Sequence, residues 1–444
     1  MAEALEFLHV DLFQAPDSLF RGGDGLARSV ALLAALGRPQ DQIPIVHVAG
    51  TAGKGTVAAG IAAALGAQGS TVGLHVSPDV YDLRERFSVN GRWCRPEEVV
   101  ERLDDVLPAS AQLAATPHGA PTFYEVTLAM SLIHFLRRGC DVAVVETGLG
   151  GLYDATNTVT RTDKLAVITR IGLDHQRVLG HTLEEIAAQK AGILPVDGEA
   201  VVLHHGVAAV DDTLSAAAAA RGCRLHLVAA PAPGRGQAAH QAEDLALIDA
   251  AVTVLDRRQG RAHDGPVVAG AVAGLELPGR FERVGLASGT RVVLDGAHNP
   301  LKLAALIDRL VVSTPDGSGS SWRWVFGCRR DKEAGPMLAQ LDRVAQPGPS
   351  IALVPFPIPA GDVPADRSAD PAELHELARA AGLQHTFVAT LDEAAAFVSS
   401  AAPGSAGVGA DSPATGVVAG SFALLAALRP RLGLAPWPGG LVGS

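Results

Sequence analysis

Apolar residues along this chain fall into two recurring patterns: short β-branched runs of strand length, and longer stretches with apolar positions every three or four residues. The run Ile43–Ala49 (IPIVHVA) reads as a strand. It empties into a glycine-rich turn, GTAGKGT, and the alanine-rich stretch Val57–Gln68 that follows is helical in character. Three further apolar runs share the strand pattern: TVGLHVS (Thr71–Ser77), CDVAVVE (Cys140–Glu146) and KLAVITRIG (Lys164–Gly172). Helical periodicity is expected over the N-terminal 40 or so residues, ending at Gly37 and Pro39, and again over 96–107, 122–138 and 242–256. Thr182 and Glu185 form a T-x-x-E capping pattern that opens the helix carrying Lys190.

Beyond LELPGR (residues 275–280) the pattern starts afresh. Strand-like RVVLDGAHNP, RWVFGC, SIALVPFP, HTFVAT and TGVVAGS alternate with helical LKLAALIDRLV and LDEAAAFVSS. Alternation of this kind predicts an α/β chain with mostly parallel sheets: a first domain over 1–276 and a smaller Rossmann-like domain over 277–444. Loops at 313–321, 358–371 and 402–414, rich in Gly, Ser, Pro and Asp, are expected to be exposed and mobile. The charged segment Asp79–Gly91 (DVYDLRERFSVNG) follows a strand and is a candidate mobile substrate loop.

Composition narrows the class. With 444 residues, two domains are the natural expectation, and 48% hydrophobic against 19% charged residues fits a globular protein without membrane-spanning runs. A net charge of -11 gives no sign of a nucleic-acid surface, so an anionic ligand would rely on local cations and backbone amides. The N-terminus lacks a secretory pattern, which leads to an expectation of a cytoplasmic location and a monomer. Cys94, Cys140, Cys223 and Cys328 are widely spaced, unlike a disulfide framework or a zinc site.

The chemistry gathers at strand ends. Backbone amides of the 50–56 turn can face a polyphosphate, Lys54 can neutralise it, and Thr56 carries a hydroxyl. The strict phosphate-loop pattern is broken, because Val48 stands where its first glycine would be and Gly55 follows the lysine. Ser77, Glu146 and His175 lie at or beyond the carboxyl ends of the other runs, where parallel sheets bind ligands. A hydroxyl, a carboxylate and an imidazole beside a phosphate loop suit Mg²⁺ shared with a nucleotide.

Long ordered motifs then identify a resemblance. HVAGTAGKGT, VGLHVSPD with RERFSVNG, PTFYEVTLAMSLIHF, DVAVVETGLGG with DATN, ITRIGLDHQRVLGHTLEEIAAQKAGIL, LPGRFE, VVLDGAHNP, VFGCRRDKE and VVAGSFALL resemble the folylpolyglutamate synthase and dihydrofolate synthase family of the Mur ligase superfamily. The resemblance implies a Mur-ligase-like P-loop ATPase domain, and a ligase that uses MgATP to turn a carboxylate into an acyl phosphate. An amino acid, glutamate in this family, then captures that intermediate. Gly53, Lys54, Gly55 and Thr56 would hold phosphates, with Lys54, His175 and Lys190 catalytic; Ser77, Glu146 and His175 would hold Mg²⁺. Lys190 matches a lysine the family carbamylates to hold a second Mg²⁺. Asp244, Arg280, Asp295, His298 and Asn299 match nucleotide-contacting positions, the last four from across an interdomain cleft. The acid pocket would be lined by Arg28, Asp79, Arg84, Thr122, Phe123, Tyr124, Glu125, Tyr153, Asp154 and Ala155.

Four positions depart from the family pattern: Ala52 in place of asparagine, Asp79 in place of histidine, Leu152 in place of arginine, and Asp244 in place of asparagine. An arginine-to-leucine change removes an anion contact of about 1.5–3 kcal/mol. Dihydropteroate or a folate is the expected acid. The departures leave two alternatives open: the same ligase chemistry on a non-folate acid, and a non-catalytic nucleotide-binding homologue.

Overall fold

The computed structural model describes residues 24–234, 236–313, 322–342, 344, 350–357, 368–400, 416–437 and 439–440. The chain packs as two compact units. The first takes in Met1–Ala232, Ala239–Leu275 and Gly439–Ser444, the second Pro233–Ala238 and Glu276–Pro438.

In the first unit eight strands form one sheet: β1 (Ile45–Ala49), β2 (Val72–His75), β3 (Phe87–Val89), β4 (Arg92–Trp93), β5 (Val142–Glu146), β6 (Leu165–Ile168), β7 (Glu199–Leu203) and β8 (Arg224–Val228). Their order is β4-β3-β2-β5-β1-β6-β7-β8. From β2 to β8 every neighbouring pair is parallel, and β3 and β4 extend the edge antiparallel. β1, β2, β5 and β6 are fully buried, as their continuous apolar runs require when both faces are covered.

Helices Asp24–Ala35, Pro96–Ala114 and Phe123–Arg137 pack one core. Helices Leu183–Ala191 and Ala208–Ala220 contribute to another. Helix Lys54–Ala67 is apolar nearly all round, because it is buried against β-strands as well as helices Ala239–Arg258 and Gly265–Ala273. A methyl group on Gly60 would lie 2.3 Å from Ile248 Cδ1, which shows how closely these helices approach. The predicted capping pair is present: Thr182 Oγ1 accepts from Glu185 N, and Glu185 Oε2 accepts from Thr182 N, both at 3.2 Å.

The segment 79–91 departs from the sequence expectation of a mobile loop. It holds a single turn of 3-10 helix, Leu83–Arg86, and strand β3, with Leu83, Glu85, Arg86, Phe87 and Val89 all buried. The Glu85 carboxylate ties it down by accepting from the amides of Val80, Tyr81 and Asp82 at 2.6–2.9 Å. The expected N-terminal helix is described from Asp24 onward; residues 1–23 lie outside the described residues, as do 314–321, 358–367 and 401–415, which take in most of the three loops expected to be mobile.

The second unit has its own six-stranded sheet: β9 (Glu282–Gly285), β10 (Arg291–Asp295), β11 (Arg323–Phe326), β12 (Ile351–Leu353), β13 (His385–Phe387) and β14 (Gly416–Ala419). The order is β13-β12-β11-β14-β10-β9, parallel except for β9 at the edge. Its core centres on Trp324, Phe326, Met337, Leu338 and Leu303. No described helix is long and apolar enough to cross a membrane.

Candidate active site

The sheet order places β2, β5, β1 and β6 side by side and parallel, so their carboxyl ends share one edge. From that edge come, in sequence along the sheet, Ser77, Glu146, the 50–56 loop, and the segment from Thr169 to His175. The loop itself is held by close approach. A Cβ on Gly50 would sit 1.8 Å from Thr169 Oγ1, and Gly53 turns at φ 84° with Asp244 Oδ1 2.7 Å from where its Cβ would be.

Two loop amides are already used: Thr51 N and Ala52 N both donate to Arg170 O, at 2.8 and 3.3 Å. The first helical hydrogen bond runs from Val57 N to Gly53 O at 2.8 Å. The amides of Lys54, Gly55 and Thr56 therefore open the helix with no intrahelical acceptor, at the positive end of its dipole. Half-buried Lys54 makes no ion pair or hydrogen bond with the described residues. A cation so placed has no counter-ion among the described residues, and a polyphosphate is the ligand type that supplies one.

On one side of the loop, Glu146 is 3% exposed and its Oε2 accepts from Ser77 N at 3.1 Å. Tyr124 closes over this pair, its hydroxyl 3.5 Å from Glu146 O; burial first, then the Asp154 and Glu146 carboxylates, holds its phenol well above its ordinary pKa. On the other side, buried Lys190 donates from Nζ to Gly50 O at 2.8 Å. His175 caps a one-turn helix in the left-handed conformation (φ 50°), with Nε2 3.7 Å from Asp174 Oδ2. Glu146 and Ser77 offer hard oxygen donors of the kind Mg²⁺ takes, and Glu146 Oε1 accepts no hydrogen bond from the described residues. The donor set therefore fits Mg²⁺. No three His, Cys, Asp or Glu gather as a metal group among the described residues; the expected set contains only two such residues.

Most of the residues expected to line an acid pocket are already engaged, either with one another or with neighbouring side chains and amides. Arg28 is bidentate to Glu125, with Nε and Nη2 donating at 2.7 and 2.8 Å, and both side chains are buried. Thr122 caps the helix that Phe123, Tyr124 and Glu125 open. Arg84 donates to Asp82 at 2.9 and 2.7 Å and lies over the Trp93 ring. Asp79 accepts from Arg86 Nε at 2.5 Å, and Arg86 lies 4.8 Å from the Phe123 ring centroid. Asp154 is buried and accepts from Leu149 N, Thr156 N and Thr156 Oγ1; its pKa is raised because burial outweighs those bonds. Ala155 is buried beside it, and Tyr153 is half exposed.

In the second unit the end of β10 is similarly worked. Asp295 accepts from Phe281 N and Ala297 N at 2.7 and 2.8 Å, and desolvation pushes its carboxyl up to about 6. Arg280 lies over Phe422, His298 Nε2 is 2.9 Å from Lys302 Nζ, and Asn299 caps helix Pro300–Val312. Sequence reasoning missed the strap Thr169–Gly172 that grips the phosphate loop, and Arg86. The arginine sits inside a motif it had quoted, but its pairing with Asp79 needs the fold.

Residues 48–232 match the Mur ligase middle domain, and residues 279–414 match the Mur ligase glutamate ligase domain. The chain is 35% identical over 345 residues to the probable bifunctional folylpolyglutamate synthase/dihydropteroate synthase of Halobacterium salinarum, covering 71% of this chain and 40% of that protein. It is 43% identical over 171 residues to the dihydrofolate synthase/folylpolyglutamate synthase of Bacillus subtilis, covering 38% of this chain and 39% of that one. These matches take in 40% and 39% of the relatives' own lengths. The solved structure of Mycobacterium tuberculosis folylpolyglutamate synthase complexed with ADP and AMPPCP superposes with a TM-score of 0.78 at 28% identity, covering 93% of this chain and 96% of that one. With two Mur ligase domains in order, relatives of one kind and a shared fold, the chain belongs to the folylpolyglutamate synthase and dihydrofolate synthase family of the Mur ligase superfamily.

Proposed function

We propose that the chain is an ATP-dependent amide ligase that joins glutamate to dihydropteroate or a folate, releasing ADP and phosphate. The observation that carries this reading is Lys54, which heads a buried helix beside open amides and has no counter-ion among the described residues. In this reading Gly53–Thr56 bind the β- and γ-phosphates, and the Asp244 carboxylate beside Gly53 borders the nucleotide. Arg280, Asp295, His298 and Asn299 serve the nucleotide as well.

A carboxylate oxygen of the acid attacks the γ-phosphorus, the bond to ADP breaks, and an acyl phosphate forms. The glutamate amine then attacks the acyl carbon, loses a proton, and phosphate leaves. Both steps bring anions together, so positioning and charge neutralisation dominate. Glu146, Ser77 and His175 would hold a Mg²⁺ ion, which would supply Lewis-acid neutralisation of the phosphate charge. Lys54 and the helix amides hold the transferring phosphoryl in line. A carbamate on Lys190 is part of the proposal, for a second Mg²⁺; its amine lies buried at the head of the loop, and ¹³C NMR in labelled bicarbonate tests it by the appearance of a carbamate carbon.

One observation favours a second reading, in which the same chemistry acts on a different acid: Arg86 is already neutralised by Asp79, a departure position, and is not open to an anionic substrate. ADP release measured with a panel of dihydropteroate, reduced folates and unrelated aryl acids decides between them. Release with folate-type acids and glutamate supports the first reading. Release only with other acids supports the second, and no release with any acid overturns both.

A further inference from the structure

We propose that His205, outside the residues assigned to phosphate or metal, is a positioning residue for nucleotide binding: its imidazole anchors the strap Thr169–Gly172 that shapes the phosphate loop. The inference rests on the ligase reading.

The strap is stitched to the loop from one side. Thr169 Oγ1 donates to Ala52 O at 2.7 Å, and Arg170 O accepts from the amides of Thr51 and Ala52. Thr51 Oγ1 donates to Gly172 O at 2.9 Å and accepts from Gly172 N at 3.2 Å. These bonds leave the amide of Ile171, at the centre of the strap, pointing away from the loop. His205 takes it: Ile171 N donates to Nε2 at 2.9 Å. Among the described residues no main-chain acceptor serves that amide, so the middle of the strap is held on its far side by one side-chain nitrogen.

The ring is itself fixed. His205 lies just beyond β7, which pairs with β6 in parallel register, and its own amide donates to Asp211 Oδ1 at 3.0 Å. Nδ1 faces the same carboxylate oxygen at 3.5 Å, and the ring is nearly buried. An imidazole can accept at Nε2 only with its proton on Nδ1, the side where Asp211 stands. Burial lowers its pKa, against the opposing pull of Asp211, so the accepting form is the one the fold favours. His204, 3.3 Å from Asp211, and Arg170 on the strap are the other ionisable neighbours among the described residues. Nδ1 makes no hydrogen bond among the described residues, so the ring's one fixed contact is the Ile171 amide. His205 thus holds Ile171, and the strap holds Thr51 and Ala52.

The test uses the full chain with MgATP as the probe. His205→Phe keeps a ring and removes the acceptor; His205→Gln restores an acceptor. The expected result is about a tenfold rise in the Kd of MgATP and in the KM for ATP with His205→Phe, an unchanged KM for the amino acid, and recovery of most of the loss with His205→Gln. Where His205→Phe does not fold, His205→Asn, whose acceptor is drawn back by one methylene, gives the same reading. MgATP affinity unchanged in the non-accepting variants, or lost equally in His205→Gln, overturns the inference while the ligase reading stands. A wild-type chain that binds no MgATP overturns the ligase reading, and the inference with it.

Discussion

Lys54 and Arg28 are both cations in the first unit, and the protein treats them oppositely. Lys54 is half buried with no partner among the described residues, so folding does not depend on its charge. Lys54→Met is expected to lower turnover by about 10²-fold or more while the melting temperature barely moves, measured by ADP release and thermal unfolding. Arg28 is buried and bidentate to Glu125, so removing it strands a buried carboxylate. Arg28→Met is expected to destabilise the protein by about 3–5 kcal/mol in chemical denaturation, and adding Glu125→Gln should recover part of the loss. Family resemblance had put both Arg28 and Glu125 in the acid pocket. That each is the other's partner was not legible, because residues 97 positions apart announce no pairing in a single sequence.

At the scale of elements, the phosphate loop shows why small residues recur there. A methyl on Gly50 would overlap the Thr169 hydroxyl that holds Ala52 O. Gly50→Ala is therefore expected to cost about 1–3 kcal/mol of stability and to weaken MgATP binding together, read by denaturation and calorimetry. Helix Ala239–Arg258 offers a pH signature. His263 lies 3.1 Å from Asp256 and 2.9 Å from Asp249; burial lowers its pKa, but the two carboxylates outweigh it and the net shift is upward. A raised histidine pKa contributes stability that is complete below the unfolded value, near 6.5, and lost as pH rises through the folded one. His263→Gln should thus be less stable than wild type at pH 5.5 and nearly equal to it at pH 9.

The strands with continuous apolar runs, β1, β5 and β6, could be read directly, and so could the strand–loop–helix unit at Ile43–Thr56. β3 could not: three residues among charges (FSV) become a strand only against the edge of β2. Helix Gly265–Ala273 was also missed. Its composition, GPVVAGAVA, lacks a polar face to give it a period, and it is stabilised by packing on Lys54–Ala67. The common edge holding Ser77, Glu146 and the loop was predictable from parallel strands, whereas the order that sets Ser77 beside Glu146 required the sheet.

For the whole molecule, each unit has its own sheet and core, and the chemistry proposed for the first depends on charge control at one sheet edge. Net charge of -11 makes that local control necessary, since nothing global attracts ATP, a carboxylate and an amino acid to one place. The departures at Ala52, Asp79, Leu152 and Asp244 leave the loop lysine, the Glu146–Ser77 pair and Lys190 intact. The central claim is that the acid passes through an acyl phosphate, and isotope transfer tests it most directly. With the acid labelled with ¹⁸O in its carboxylate, the account predicts one ¹⁸O in the released phosphate for each amide formed. Amide formation with wholly unlabelled phosphate would contradict it.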